Sequence, residues 1–133
     1  MTLKLTKEEK QRIKEVEHEL QELKVNKAIV HIIGIDIEEL QDQLKYAWTT
    51  EEKKKDIRNE IKKFSKRKQE IAARVNKLDA AINNLSDLEK TIIELRYIQE
   101  LKLKDIGEKI YFTVNYISNY LKPKLLIKIA QQL

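Results

Sequence analysis

Asn115, Tyr116, Ser118, Asn119 and Lys122 are the residues of this 133-residue chain whose types and spacing best suit contact with another molecule. They alternate with Val114, Ile117, Leu121 and Leu125, which recur at three and four positions and so share the opposite face of one helix. An Asn amide offers a donor and an acceptor together, the pair that matches the major-groove edge of adenine. Hydroxyl and ammonium groups suit phosphate oxygens. Thr113 stands as the N-cap of this helix, its hydroxyl placed to accept from the N–H of Asn115 or Tyr116. Lys124 extends the polar face, and Lys104 and Lys109 add cations on the segment before it.

The elements that must hold these residues are legible as helices. In Leu103–Ile110, Ile106 and Ile110 share a face while Lys104, Asp105, Glu108 and Lys109 occupy the other. Gly107 costs this helix about 1 kcal/mol of propensity, which predicts a close backbone crossing by another helix. A third helix starts at Ser86-Asp-Leu-Glu89, a capping box, and buries Leu88, Ile92, Leu95 and Ile98 along one face with Ile93 and Tyr97 flanking. Pro123 cannot donate to the carbonyl of Asn119 and crowds it. The long helix is therefore expected to kink or end near Lys122, with a terminal helix from Pro123 to Gln131. Three helices in this order spell a helix-turn-helix, which lays its last helix in the DNA major groove. A three-helix cap with a polar outer face is the alternative.

The run from Leu85 to Leu126 resembles region 4 of sigma-70-type transcription factors. The matching residues are Leu88, Glu89, Ile93, Leu95, Arg96 and Tyr97, then Ile106-Gly107, Ile110, Thr113, Ile117 and Leu125. Tyr111 stands where the turn of that family usually has Gly, and Val114 and Ser118 replace basic residues. Ile-Glu-Leu-Arg-Tyr-Ile at 93–98, with a helical arm in front, is similar to ArpU-type regulators of phages and prophages. The resemblance implies binding at the promoter −35 element and contact with host RNA polymerase. It also implies that Lys90, Glu94 and Arg96, on the helix that stays out of the groove, are free to meet polymerase.

Residues 1–85 read as a coiled-coil arm. Ile57, Ile61, Phe64, Ile71, Val75, Leu78, Ile82 and Leu85 keep heptad spacing, with Lys68 in the skipped core place. Ile13, Val16, Leu20, Leu23 and Val30 form an earlier seam with Lys27 in its skipped place. A break at Gly34, a capping box at Asp36–Glu39 and a middle helix from Asp36 to Trp48 predict a helical hairpin. Thr49-Thr50-Glu51-Glu52 supplies a cap and an acidic first turn for the helix that follows. A homodimer through Ile57, Ile61, Phe64, Ile71, Val75 and Leu78 would bury the open seam and the apolar stretch between Ile29 and Ile37. Packing within one chain is the competing solution.

Charge and composition bound the rest. The net charge is −2 for residues 1–50, +5 for 51–85 and +2 for 86–133, and no acid follows Val114. The basic run from Lys53 to Lys68 is either a phosphate-binding stripe or a solvated helix face. The chain has no Cys, a distant pair of His residues, no Gly-rich phosphate loop and no nucleophile placed beside a His. No enzymatic activity, metal or cofactor is expected. No apolar run is long enough for a membrane span, so a cytoplasmic protein without membrane contact is expected.

The expectation is thus an all-α protein, with residues 1–85 as a helical hairpin arm for self-association and 86–133 as a trihelical helix-turn-helix. Its function would be sequence-specific binding of double-stranded DNA as a phage or prophage transcriptional regulator. A phage DNA-packaging recognition subunit and a polymerase-binding protein without DNA readout are the alternatives.

Overall fold

The computed structural model describes residues 2–46 and 49–133, and all regular structure among them is helical. The helices are α1 (Lys7–Leu44), α2 (Glu51–Asn83), α3 (Asp87–Ile93), α4 (Leu103–Ile110), α5 (Val114–Tyr116) and α6 (Lys122–Ala130). A π-helical turn, Glu94–Ile98, extends α3, and a second, Ile117–Leu121, joins α5 to α6 in one continuous helix. The chain divides into two compact units, Met1–Lys24 with Lys77–Leu133, and Val25–Asn76. The expected boundary between residues 85 and 86 is not where they divide, because the start of α1 belongs to the same unit as the C-terminal helices.

In the unit Val25–Asn76, α1 returns as α2. Gly34 does not break α1, and the separate helix expected from Asp36 does not exist: α1 is a single helix of 38 residues. Ala47 and Trp48, at the end of that expected helix, lie outside the described residues. Continuity keeps Ile33 and Leu40, seven apart, on the buried side, and that burial outweighs one glycine's propensity cost of about 1 kcal/mol. Gly34 instead makes room: a Cβ there would stand 3.4 Å from Lys68 Nζ. The lysine in the skipped core place thus runs its stem past a position with no side chain. Thr50 Oγ1 accepts from Lys53 N–H at 3.2 Å and starts α2 as its sequence implied.

The apolar seam of α2 is used inside the chain. Ile71, Val75 and Leu78 are buried, and Ile57, Ile61 and Phe64 are half-buried. Of the six residues expected at a dimer interface, three are thus buried within one chain and three keep part of their surface open. Among the arm's described residues, the large hydrophobic side chains left exposed are Val25, Ile32 and Ile35 of α1 and Tyr46 just after it.

The unit Met1–Lys24 with Lys77–Leu133 holds the larger core. Leu20, Ile92, Ile106, Ile117, Leu125, Leu126 and Ile129 are its most deeply buried large side chains. The capping box of α3 forms in both directions, Glu89 N–H to Ser86 Oγ at 3.2 Å and Ser86 N–H to Glu89 Oε1 at 3.1 Å. A second capping box, unread in the sequence, starts α1: Glu9 N–H donates to Thr6 Oγ1 at 3.1 Å and Thr6 N–H to Glu9 Oε1 at 2.9 Å.

Pro123 widens the last helix and does not end it. The π turn Ile117–Leu121 carries the chain past Lys122, whose N–H bonds to the Ile117 carbonyl, and Pro123 falls in the first turn of α6. The Asn119 carbonyl, four residues before Pro123, lacks its ordinary α-helical donor. It accepts instead from Leu3 N–H at 2.9 Å.

Gly107 is explained by the turn after it. Tyr111 takes a left-handed conformation (φ 62°), and the N–H groups of Tyr111 and Phe112 both return to the Gly107 carbonyl. A Cβ on Gly107 would lie 2.5 Å from the Phe112 carbonyl oxygen and 3.6 Å from Ile117 Cδ1. The close backbone is thus mainly that of the turn itself, where the sequence suggested a crossing helix.

The two glycines should respond oppositely to alanine. Gly34→Ala meets only the movable end of Lys68, so it should raise stability by up to about 1 kcal/mol. Gly107→Ala forces a backbone shift and should lower it by about 1–3 kcal/mol. Urea unfolding of both variants checks this, and equal effects would contradict it.

Candidate nucleic-acid interface

Thr113 caps α5 as expected, accepting from Tyr116 N–H at 3.1 Å. The cap fixes the orientation of the first turn, and from it Asn115, Ser118 and Asn119 are exposed. Tyr116 is half-buried because Phe112, Tyr116 and Tyr120 recur every four residues and stack along one side of the helix. The ring centroids are 5.2 Å and 5.3 Å apart, and Lys124 Nζ lies 5.5 Å from the Tyr120 centroid. Tyr111 is 92% exposed despite its left-handed backbone, a conformation that costs an L-residue about 1–2 kcal/mol.

The cations of this end are less available than their sequence suggests. Lys122, expected to contact DNA, lies 2.8 Å from Glu17 Oε2, with its side chain only 19% exposed. Lys128 pairs with Glu89 at 2.8 Å. The carboxylates come from α1 and α3, so an acid-free stretch of sequence becomes a paired surface in three dimensions. Lys104 and Lys109 remain exposed on α4, and Lys124 is half-buried against its ring.

Glu17 is the joint of this network. Tyr97 Oη donates to Glu17 Oε2 at 2.7 Å, and Lys122 donates to the same oxygen. Burial by itself would raise the carboxyl's pKa. The bonds from Lys122 and Tyr97, with the charges of Lys122 and Arg96, outweigh it and hold Glu17 below the usual carboxylate range. Burial and the bond to Glu17 push the Tyr97 phenol well above its ordinary value. At Glu89 burial is again overcome, by Lys128 and then by the Ser86 N–H and hydroxyl, and its pKa is lowered.

Arg96, expected to face polymerase, is used internally: it is half-buried and donates to the Leu101 carbonyl at 2.9 Å. Glu100 is left-handed there (φ 58°), and Leu101 N–H reaches back to the Leu95 carbonyl at 2.9 Å. Arg96 thus braces the connection that leads into α4. Lys90 is half-buried and Glu94 is exposed on α3 and its extension. At the other end of the unit, the Arg12 guanidinium donates to the Ala130 carbonyl at the end of α6, and Asn84 Nδ2 donates to Gln132 Oε1 at 2.6 Å.

Five participants carried no reading in the sequence: Leu3, Thr6 and Glu9, Arg12 and Glu17. Thr6-Lys-Glu-Glu9 carries the capping-box spelling and could have been found. Glu17 carries no local signal, because its partners lie 80 and 105 residues away. Among the described residues, no group of three or more His, Asp or Glu side chains is placed to hold a metal, and no helix is long and apolar enough to cross a membrane.

No family model matches the chain, and no curated protein or solved structure matches it significantly.

The carboxylates predict an acid limb of stability. Both have folded pKa values below the unfolded one, so their contribution is full above about pH 4.5 and is lost as pH falls through the folded values. Glu17→Gln should cost about 1–3 kcal/mol at pH 7 and flatten the loss below pH 4.5. Unfolding free energy measured from pH 3 to 7 tests it. An unchanged acid slope in Glu17→Gln would contradict the role given to this group.

Proposed function

We propose that the protein is a sequence-specific reader of double-stranded DNA, of the transcriptional-regulator class. In this reading α3, α4 and the α5–α6 helix act as a helix-turn-helix domain. The observation that carries it is the tight turn between α4 and α5. Gly107 lets the Phe112 carbonyl approach, Tyr111 reverses the chain, and Thr113 restarts the helix. A helix begun in this way presents Asn115, Ser118 and Asn119 outward in its first turns, where recognition helices meet base edges. The exposed Lys104 and Lys109 suit phosphate contacts beside it.

Two parts of the reading change with the pairing found in the fold. Lys122 serves α1 through Glu17, so the amides of Asn115 and Asn119 carry more of the recognition than charge does. On the α3 side, Glu94 is exposed and Lys90 half-buried, while Arg96 is engaged with Leu101. Contact with host RNA polymerase would therefore rest on Lys90 and Glu94.

Selection of bound duplexes from a random pool, followed by titration of variants, tests the reading. Asn115→Ala and Asn119→Ala should each lose about 1–3 kcal/mol on the selected duplex and little on random duplex. Failure to enrich any sequence, or equal loss on both duplexes, would overturn it.

A further inference from the structure

The unit Val25–Asn76 carries a charged face with no assigned use. On its stretch of α2, Lys55, Arg58, Lys62 and Lys66 follow one another at spacings of three, four and four, which places them on one side of the helix. All four are exposed. At 1.5 Å of rise per residue the stripe is about 16 Å long. It lies away from Ile57, Ile61, Phe64, Ile71 and Val75, the residues this helix turns inward.

Glu51 and Glu52 lie within a turn of the stripe's first residue and Glu70 within a turn of its last, and no ion pair joins them to it. None of its four cations closes an ion pair or hydrogen bond with a described residue. Glu51, at its head, is paired with Lys54 at 3.5 Å, and Glu70, one turn beyond Lys66, pairs with none of the four. Asp56 and Glu60 point to other sides of the helix by the same spacing rule. Lys122 and Lys128, by contrast, are both held by carboxylates. The stripe's four cations thus stand exposed and unpaired in a segment, 51–85, whose net charge is +5.

We propose that this stripe is a sequence-independent binding surface for the backbone of double-stranded DNA. A duplex presents one negative charge per about 1.7 Å of its axis, so a rigid row of four cations can neutralise several phosphates and release their counterions. A lipid surface fits less well, because adsorbed helices also bury apolar side chains, and no large hydrophobic residue of α2 is exposed. The proposal does not depend on how α5 reads sequence.

The test uses the full chain and a random-sequence 30-base-pair duplex, with affinity followed by fluorescence anisotropy across a salt series. The variant Lys55→Gln/Arg58→Gln/Lys62→Gln/Lys66→Gln should flatten the slope of log K against log salt by about 3 to 4. The control Lys53→Gln/Lys63→Gln/Arg67→Gln/Arg74→Gln removes the same charge from other sides of α2 and should change the slope by less than 1. Lys62→Gln/Lys66→Gln should show about half the full effect, which guards against misfolding of the fourfold variant. Equal slopes for stripe and control variants would overturn the proposal. So would stripe-dependent binding to phosphatidylserine vesicles with duplex binding unchanged. Loss of sequence preference without loss of the stripe's salt effect would count against α5 alone and leave this surface standing.

Discussion

Glu17 meets two other elements at one oxygen: Tyr97 from the turn after α3 and Lys122 from the start of α6 both donate to it. A partly buried carboxylate is costly without partners, and removing either donor would leave the other groups under-satisfied. The rest of the unit is arranged around this constraint. Leu3 reaches the Asn119 carbonyl and Arg12 reaches the Ala130 carbonyl, so the beginning of the chain is tied to both ends of the π turn and α6. The consequence is that Asn115, Ser118 and Asn119 stand on a helix fixed by residues a hundred positions earlier.

Pro123 and Tyr111 illustrate how local costs are absorbed. Proline leaves the Asn119 carbonyl without its usual donor, the helix widens over Ile117–Leu121, and the N-terminal segment supplies an N–H. Tyr111 has no such compensation. It holds a left-handed backbone with an exposed ring in the turn that leads to Asn115, Ser118 and Asn119.

Features set by neighbouring residues were legible in the sequence. The Ser86–Glu89 box, the Thr113 and Thr50 caps and the all-helical class follow from patterns spanning a turn or two. Burial of Ile92, Ile106, Ile117 and Leu125 follows from spacing alone. Long-range choices were not legible. Gly34 reads as a breaker until Lys68 is seen beside it, and the spacing of the α2 seam does not say that Ile71, Val75 and Leu78 are buried within the same chain. The charge of Lys122 reads as available because nothing near it in sequence is acidic, whereas its partner lies 105 residues away. Periodicity gives a helix its inner face and leaves the identity of the neighbour open.

The two surfaces differ in charge. The start of the α5–α6 helix exposes hydroxyls and amides, and its Lys122 is held by Glu17. On α2, Lys55, Arg58, Lys62 and Lys66 are exposed and unpaired. Amide and side-chain NMR shifts of the full chain, titrated with its selected duplex, test the readout assignment most directly. The account predicts the largest changes at the backbone of 113–119 and at the side-chain amides of Asn115 and Asn119, with the Glu17–Lys122 pair intact. Changes absent from that segment, with the duplex bound elsewhere, would contradict it.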